Sequence, residues 1–133
     1  MKINTKLLMA CSAVSLALMG LPLIFLPAEI AGYLKISSTF VIQLFIQIVG
    51  ALYFAFAMLN WMAKRNVMGG IYNRPIVIAN VAHFMVVGLT LLKSLLKQPD
   101  LPSTIWAVTI LYTLFAAFFI IVLFQSPVTN KTS

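Results

Sequence analysis

Four long apolar runs dominate the pattern of hydrophobic and polar positions along the chain. They cover residues 7–26, 40–62, 75–96 and 103–124, and short stretches rich in charged residues, proline or glycine separate them. Each run has about the 20 residues that an α-helix needs to cross a hydrocarbon core about 30 Å thick. The pattern therefore predicts an all-α, polytopic membrane protein with four transmembrane helices.

Composition supports this fold class and limits the number of domains. Of the 133 residues, 62% are hydrophobic and 8% are charged, whereas about 25% of residues are charged in a soluble domain. The segments outside the four runs are too short to bury a core of their own. We therefore expect residues 1–133 to form a single four-helix transmembrane domain, and the short connections favour an up-down bundle.

The segment after the first span has its own pattern. In "PLIFLPAEIAGYLKISSTF" apolar residues recur at spacings of three and four, close to Tyr33 and Lys35. An amphipathic ring and a long basic side chain are stable at the membrane surface. Pro27 suits a first helical turn because its missing N–H is not needed there. The sequence predicts a short interfacial helix between the first and second spans.

The net charge of +7 reads as a topology signal rather than as a nucleic-acid surface, because the basic residues flank membrane spans. Gly69 and Gly70 favour a turn at the lipid headgroups over a phosphate-binding loop. The apolar start is interpreted as a retained first helix rather than a cleaved signal, because its apolar run continues through "LPLIFL".

The basic residues on one side are Lys2, Lys6, Lys64, Arg65, Arg74 and Lys131, and those on the other are Lys35, Lys93 and Lys97. Six against three predicts a multi-pass protein with both termini and the second loop in the cytoplasm.

The polar residues within a span tend to lie on one face of the predicted helix. On the third span the polar residues Asn80, His83, Thr90 and Ser94 share one face at about 100° per residue, and we expect that face to point into the bundle. An ionisable group at membrane depth indicates a functional site, although His83 is also compatible with a structural hydrogen bond. The predicted ligand-binding set is His83, Asn80, Tyr53, Tyr112, Gln47 and Gln43.

The reactive side chains of the chain limit its chemistry. One histidine, one cysteine and two acidic residues do not make a metal site, which needs several such ligands. Nucleophilic catalysis needs a base and an orienting group beside the nucleophile, and we identify no catalytic residue. We therefore expect neither a metal nor an independent enzyme.

The order of features resembles a known group of proteins. The stretches "FLPAEIAGYLKI", "QIVGALYFAFAMLNWMAK", "GGIYNRP" and "NVAHF" resemble a family of small four-helix bacterial membrane proteins of uncharacterised function, loosely DoxX-like. Some DoxX-like proteins are associated with quinone-linked oxidoreductase assemblies. The resemblance thus implies a quinone or another lipophilic ligand in the pocket around His83.

Two functions from different classes stay open at this point. One is a binding or accessory subunit whose polar intramembrane pocket takes a lipophilic ligand, quinone-like or lipid. The other is an oligomeric small-molecule or ion transporter or channel, because polar residues could line a path through the membrane. Membrane lipids are expected partners in both, as is a homo-oligomer or a larger membrane complex. Nucleic acid is not an expected partner.

Overall fold

The computed structural model describes residues 3–66 and 71–125. Five α-helices follow one another in this part of the chain: α1 (Thr5–Phe25), α2 (Pro27–Tyr33), α3 (Phe40–Ala63), α4 (Arg74–Lys97) and α5 (Ser103–Phe124). A short 3-10 helix, Ile71–Asn73, leads into α4. The predictions for Gly69 and Gly70, and the positions of Lys2 and Lys131, lie outside the described residues.

The four long helices confirm the predicted all-α fold with four spans. Each is long and apolar enough to cross a membrane, so the chain is a multi-pass membrane protein. The predicted short helix after the first span is α2, and it begins at Pro27. Pro75 lies in the first turn of α4, and Pro102 immediately precedes α5. Proline at these positions costs no helical hydrogen bond, because the first N–H groups of a helix have no partner within it.

Contacts divide the chain into two compact units, which are described one at a time. Met9–Arg65 forms the first, called here the α1–α3 unit, and it holds most of α1 together with α2 and α3. The described residues among Met1–Leu8 and Asn66–Ser133 belong to the second, called the α4–α5 unit. The prediction of one domain over the whole chain stays a prediction.

In the α1–α3 unit the two long helices run antiparallel and approach closely at two glycines. A Cβ atom placed on Gly20 would lie 2.9 Å from the carbonyl oxygen of Gly50 and 3.0 Å from the amide nitrogen of Phe54. Small residues let helix backbones approach in this way, and packing of this kind drives helix association in membranes. Further along the pair, the side-chain amide of Gln47 donates to the carbonyl oxygen of Ile24 across 3.2 Å.

The short helix α2 ends in a hydrogen-bonded turn centred on Lys35. The amide of Ile36 donates to the carbonyl oxygen of Ala31, and the amide of Lys35 donates to that of Gly32, both across 3.0 Å. These two bonds form the Schellman motif, which usually carries glycine at its left-handed position. Here Lys35 adopts that conformation, with φ at 57°.

In the α4–α5 unit an aromatic cluster joins two antiparallel helices. Phe84 stacks on Phe119 with ring centroids 5.5 Å apart and planes 9° from parallel, and it also meets Phe115 at 5.0 Å. Phe84 is fully buried. Aromatic pairs at these distances contribute beyond the area that they bury. The buried residues of α4 are Val77, Asn80, Phe84, Gly88 and Leu95.

Candidate functional site

The histidine of α4 meets a tyrosine of α5 within the apolar part of both helices. Nε2 of His83 lies 3.3 Å from the hydroxyl oxygen of Tyr112. His83 is nine residues from the start of α4 and Tyr112 nine residues from the start of α5, so each lies about 14 Å into its own span at 1.5 Å per residue. The structure thus brings together two of the six predicted site residues, far from either end of their helices.

The two partners are buried to different degrees. Tyr112 is 0% exposed, whereas His83 is only half-buried. The phenol donates to the imidazole when Nε2 carries no proton and accepts from it when Nε2 does. Tyr112 therefore fixes the ring of His83 from the inner side, while part of the imidazole stays at the surface of the helix pair.

The ring of Phe84 packs against both residues of this contact. Phe84 lies edge-on to His83, with ring centroids 5.1 Å apart, and edge-on to Tyr112 at the same distance. Because the Phe84 ring is also held by the stack on α5, the positions of both polar rings depend on the aromatic cluster. Sequence reasoning did not single out Phe84, since one phenylalanine among ten carries no signal of its role.

The third predicted residue of the same unit is Asn80, one turn before His83. It is fully buried, and its side-chain amide donates to the carbonyl oxygen of Ile76 across 2.9 Å. An i to i−4 bond of this kind satisfies a polar side chain within its own helix. Asn80 shares the helix of His83, but its amide donor is directed to the backbone.

The other three predicted residues belong to the α1–α3 unit. Gln43 donates to the hydroxyl of Ser38 across 2.8 Å, and Gln47 donates to the backbone of α1. Tyr53 is half-buried on α3, close to Gly20. Their membership of a site with His83 stays a prediction.

The polar face of α4 is oriented differently from the prediction. Thr90 is exposed, and its hydroxyl donates to the carbonyl oxygen of Val86 across 2.8 Å. Ser94 donates in the same way to Thr90, across 2.9 Å. Because these hydroxyls find acceptors in their own helix, they need not face inward. The expectation that the whole polar stripe points inward is wrong for Thr90, and the buried face is centred on Phe84 and Gly88 instead.

A second buried polar contact lies in the α1–α3 unit. The side-chain amide of Asn60 donates to the hydroxyl oxygen of Ser12 across 3.0 Å, and Ser12 donates to the carbonyl oxygen of Met9 across 2.9 Å. Both side chains are fully buried. The sequence showed a polar residue on each helix but not that they pair, because the register between two spans is not encoded in either one.

Within residues 3–66 and 71–125, no group of three or more histidine, cysteine, aspartate or glutamate side chains is placed to hold a metal ion. Cys11 is exposed on α1.

No protein-family model matches the chain, and neither a curated protein nor a solved structure does.

Proposed function

We propose that the chain is a small binding or accessory subunit of the bacterial inner membrane that holds a lipophilic ligand with a polar head, such as a quinone, at His83. The observation that carries the proposal is the 3.3 Å contact between His83 and Tyr112 within two apolar helices. Ionisable side chains are costly at membrane depth and mark functional sites when they occur there.

The environment of the imidazole suits a ligand that arrives through the lipid. His83 is half-buried, so part of its ring can be reached from outside the helix pair, whereas Tyr112 behind it cannot. An imidazole N–H can donate to a quinone carbonyl, and the lone pair can accept from a quinol hydroxyl. Apolar sites with a few fixed polar groups are the usual form of a small-molecule site.

Buried aromatic rings support the imidazole of such a site from behind. Phe84 and Tyr112 are held edge-on to one another at 5.1 Å, and His83 meets both rings. A rigid aromatic support keeps the polar atoms in place before the ligand arrives, which lowers the ordering cost of binding. The resemblance to DoxX-like proteins points to the same ligand class and stays a prediction.

The proposed orientation in the membrane rests on the basic residues. Lys64, Arg65 and Arg74 flank the connection between α3 and α4, whereas Lys35, Lys93 and Lys97 lie near the opposite ends of the spans. The positive-inside rule favours the cytoplasm for the first group and, with the basic residues near the ends of the chain, for both termini. Membrane lipids surround such a subunit, which acts as a homo-oligomer or within a larger membrane complex.

Equilibrium dialysis of a decyl-substituted benzoquinone against the purified protein in detergent tests the proposal, with protein-free micelles as the blank. We expect His83→Ala to abolish saturable binding. Tyr112→Phe keeps the ring but removes the hydroxyl that fixes the imidazole, and should weaken binding about five-fold, as for one net hydrogen bond. Thr90→Ala is the matched control, because that hydroxyl bonds only to its own helix in the contacts described above. Equal binding by His83→Ala and wild type would refute the site.

A further inference from the structure

An apolar groove runs along the α1–α3 unit, separate from the His83 site. Its volume is about 270 Å³. The residues that line it are Ala13, Val14, Ala17, Phe54, Ala57, Met58 and Trp61. None of these side chains is charged, so the groove offers mainly van der Waals contact to an occupant.

The groove has a floor of small residues and a wall of large ones. Ala13 and Ala57 are buried at its base. On α3 the side chains of Phe54, Met58 and Trp61 follow one another at spacings of four and three, which places them on one face of the helix. From Phe54 to Trp61 the wall is about 10 Å long at 1.5 Å per residue, a length that matches part of one extended acyl chain.

A cation lies at the end of the groove. The Nζ atom of Lys64 lies over the ring of Trp61, 2.8 Å from its centroid, and Trp61 is 47% exposed. Lys64 caps the C-terminus of α3, and Arg65 follows it and is exposed. Tryptophan and lysine at the end of a span are typical of the level of the lipid headgroups. The apolar groove therefore opens toward positive charge at the depth where lipid phosphates lie.

We propose that this groove binds one anionic glycerophospholipid, with an acyl chain between α1 and α3 and the headgroup phosphate at Lys64. Charge complementarity favours this occupant, because the apolar lining suits a hydrocarbon chain and two consecutive basic residues lie where that chain would join its phosphate. Basic pockets beside spans recognise anionic headgroups, at about 1 kcal/mol for each lysine or arginine near the surface. A symmetric dimer on this face would instead bring the basic residues of two copies together.

Native mass spectrometry of the full chain released from nanodiscs tests the site. The nanodiscs contain equal amounts of phosphatidylglycerol and phosphatidylcholine with matched acyl chains. We expect wild type to retain one phosphatidylglycerol in preference to phosphatidylcholine. Lys64→Gln should lower that preference about five-fold, which corresponds to the loss of one basic contact. Lys97→Gln, at the end of α4, is the charge control and should leave the preference unchanged.

A second pair of variants tests the groove itself. Ala17→Leu places a larger side chain in the groove and should remove the retained lipid of either headgroup, whereas Leu18→Phe enlarges a side chain that is 68% exposed and should not. His83→Ala should leave lipid retention unchanged, which separates this site from the quinone proposal. Retention that is indifferent to both Lys64→Gln and Ala17→Leu would overturn the proposal. A dimer that Ala17→Leu dissociates would overturn it as well, because a second copy would then be the occupant.

Discussion

Gly20 of α1 and Gly50 of α3 lie so close together that a Cβ atom on either one would stand 2.9 Å from the carbonyl oxygen of the other. Real Cβ atoms essentially never approach other heavy atoms to that distance. At Gly20 the two nearest obstacles are backbone atoms of α3, which cannot rotate away as a side chain can. The contact between these two helices thus requires glycine at both positions.

Gly50→Ala and Gly20→Ala should therefore each destabilise the protein by about 1–3 kcal/mol, as overpacking does in tightly packed cores. Gly88→Ala is a matched control in another helix, because its Cβ would meet its nearest neighbour, the Cβ of Tyr112, at an ordinary 3.6 Å. Gly32→Ala is a second control, because apart from its chain neighbours and the backbone of its own helix no atom lies within 4 Å of the new methyl group. Thermal unfolding midpoints in one detergent measure all four variants. Equal midpoints for Gly50→Ala and Gly88→Ala would contradict the close packing.

The buried contact between Ser12 and Asn60 should appear as a coupling energy. A double-mutant cycle with Ser12→Ala and Asn60→Ala removes each partner alone and then both. Hydrogen bonds between membrane helices contribute about 0.6 kcal/mol on average and at most about 1.7. We expect the double variant to lose less stability than the two single variants lose together, and the difference should lie in this range. Unfolding in mixed micelles with an increasing fraction of denaturing detergent measures these losses. Additive losses would mean that the two side chains do not interact.

At the left-handed turn of Lys35 we expect a substitution to increase stability, in contrast to the losses predicted above. A side chain at positive φ costs about 1–2 kcal/mol that glycine avoids, although glycine also gains freedom in the unfolded chain. Lys35→Gly should therefore protect the end of α2 about five-fold better against amide hydrogen exchange at residues 35 and 36. Lys35→Ala is the control, since it removes the same charge and keeps the strained backbone. Faster exchange in Lys35→Gly than in Lys35→Ala would contradict the assigned turn.

The bounds of the spans could be predicted from the sequence to within two residues. The thickness of the hydrocarbon core sets the length of each apolar run, and proline or a polar residue marks each end. The start of α2 at Pro27 could be predicted as well, because proline fits a first helical turn, where its missing N–H is not needed. These features are local, so the sequence of each segment contains the information that determines them.

The rotation of α4 about its axis could not be predicted in the same way. The polar stripe through His83 and Thr90 was expected to face inward, but the buried face centred on Phe84 and Gly88 lies about 130° around the helix at 100° per residue. Hydroxyls that bond to carbonyls of their own helix remove the penalty for facing outward. The packing of Phe84 against Phe115 and Phe119 can then determine how α4 is rotated about its axis. Such packing depends on the register between helices, which hydropathy does not report.

For the candidate site, His83 could be singled out from the sequence and Tyr112 could be placed at a similar depth. Their hydrogen bond agrees with that pairing, since both lie near the middle of antiparallel spans. The assignment of Gln43 and Gln47 to the same site had only their depth to support it. Depth alone does not specify which neighbour an amide meets, and in the structure both amides donate to groups within the α1–α3 unit.

The most direct test of the proposed function is native mass spectrometry of the protein extracted gently from its own membrane, comparing wild type, His83→Ala and Thr90→Ala. We expect a bound small molecule with a polar head on wild type and on Thr90→Ala, and its loss from His83→Ala. The mass of that molecule would identify the class of ligand. A bare wild-type chain, or a ligand that His83→Ala retains in full, would contradict the proposed function and leave His83 as a structural partner of Tyr112.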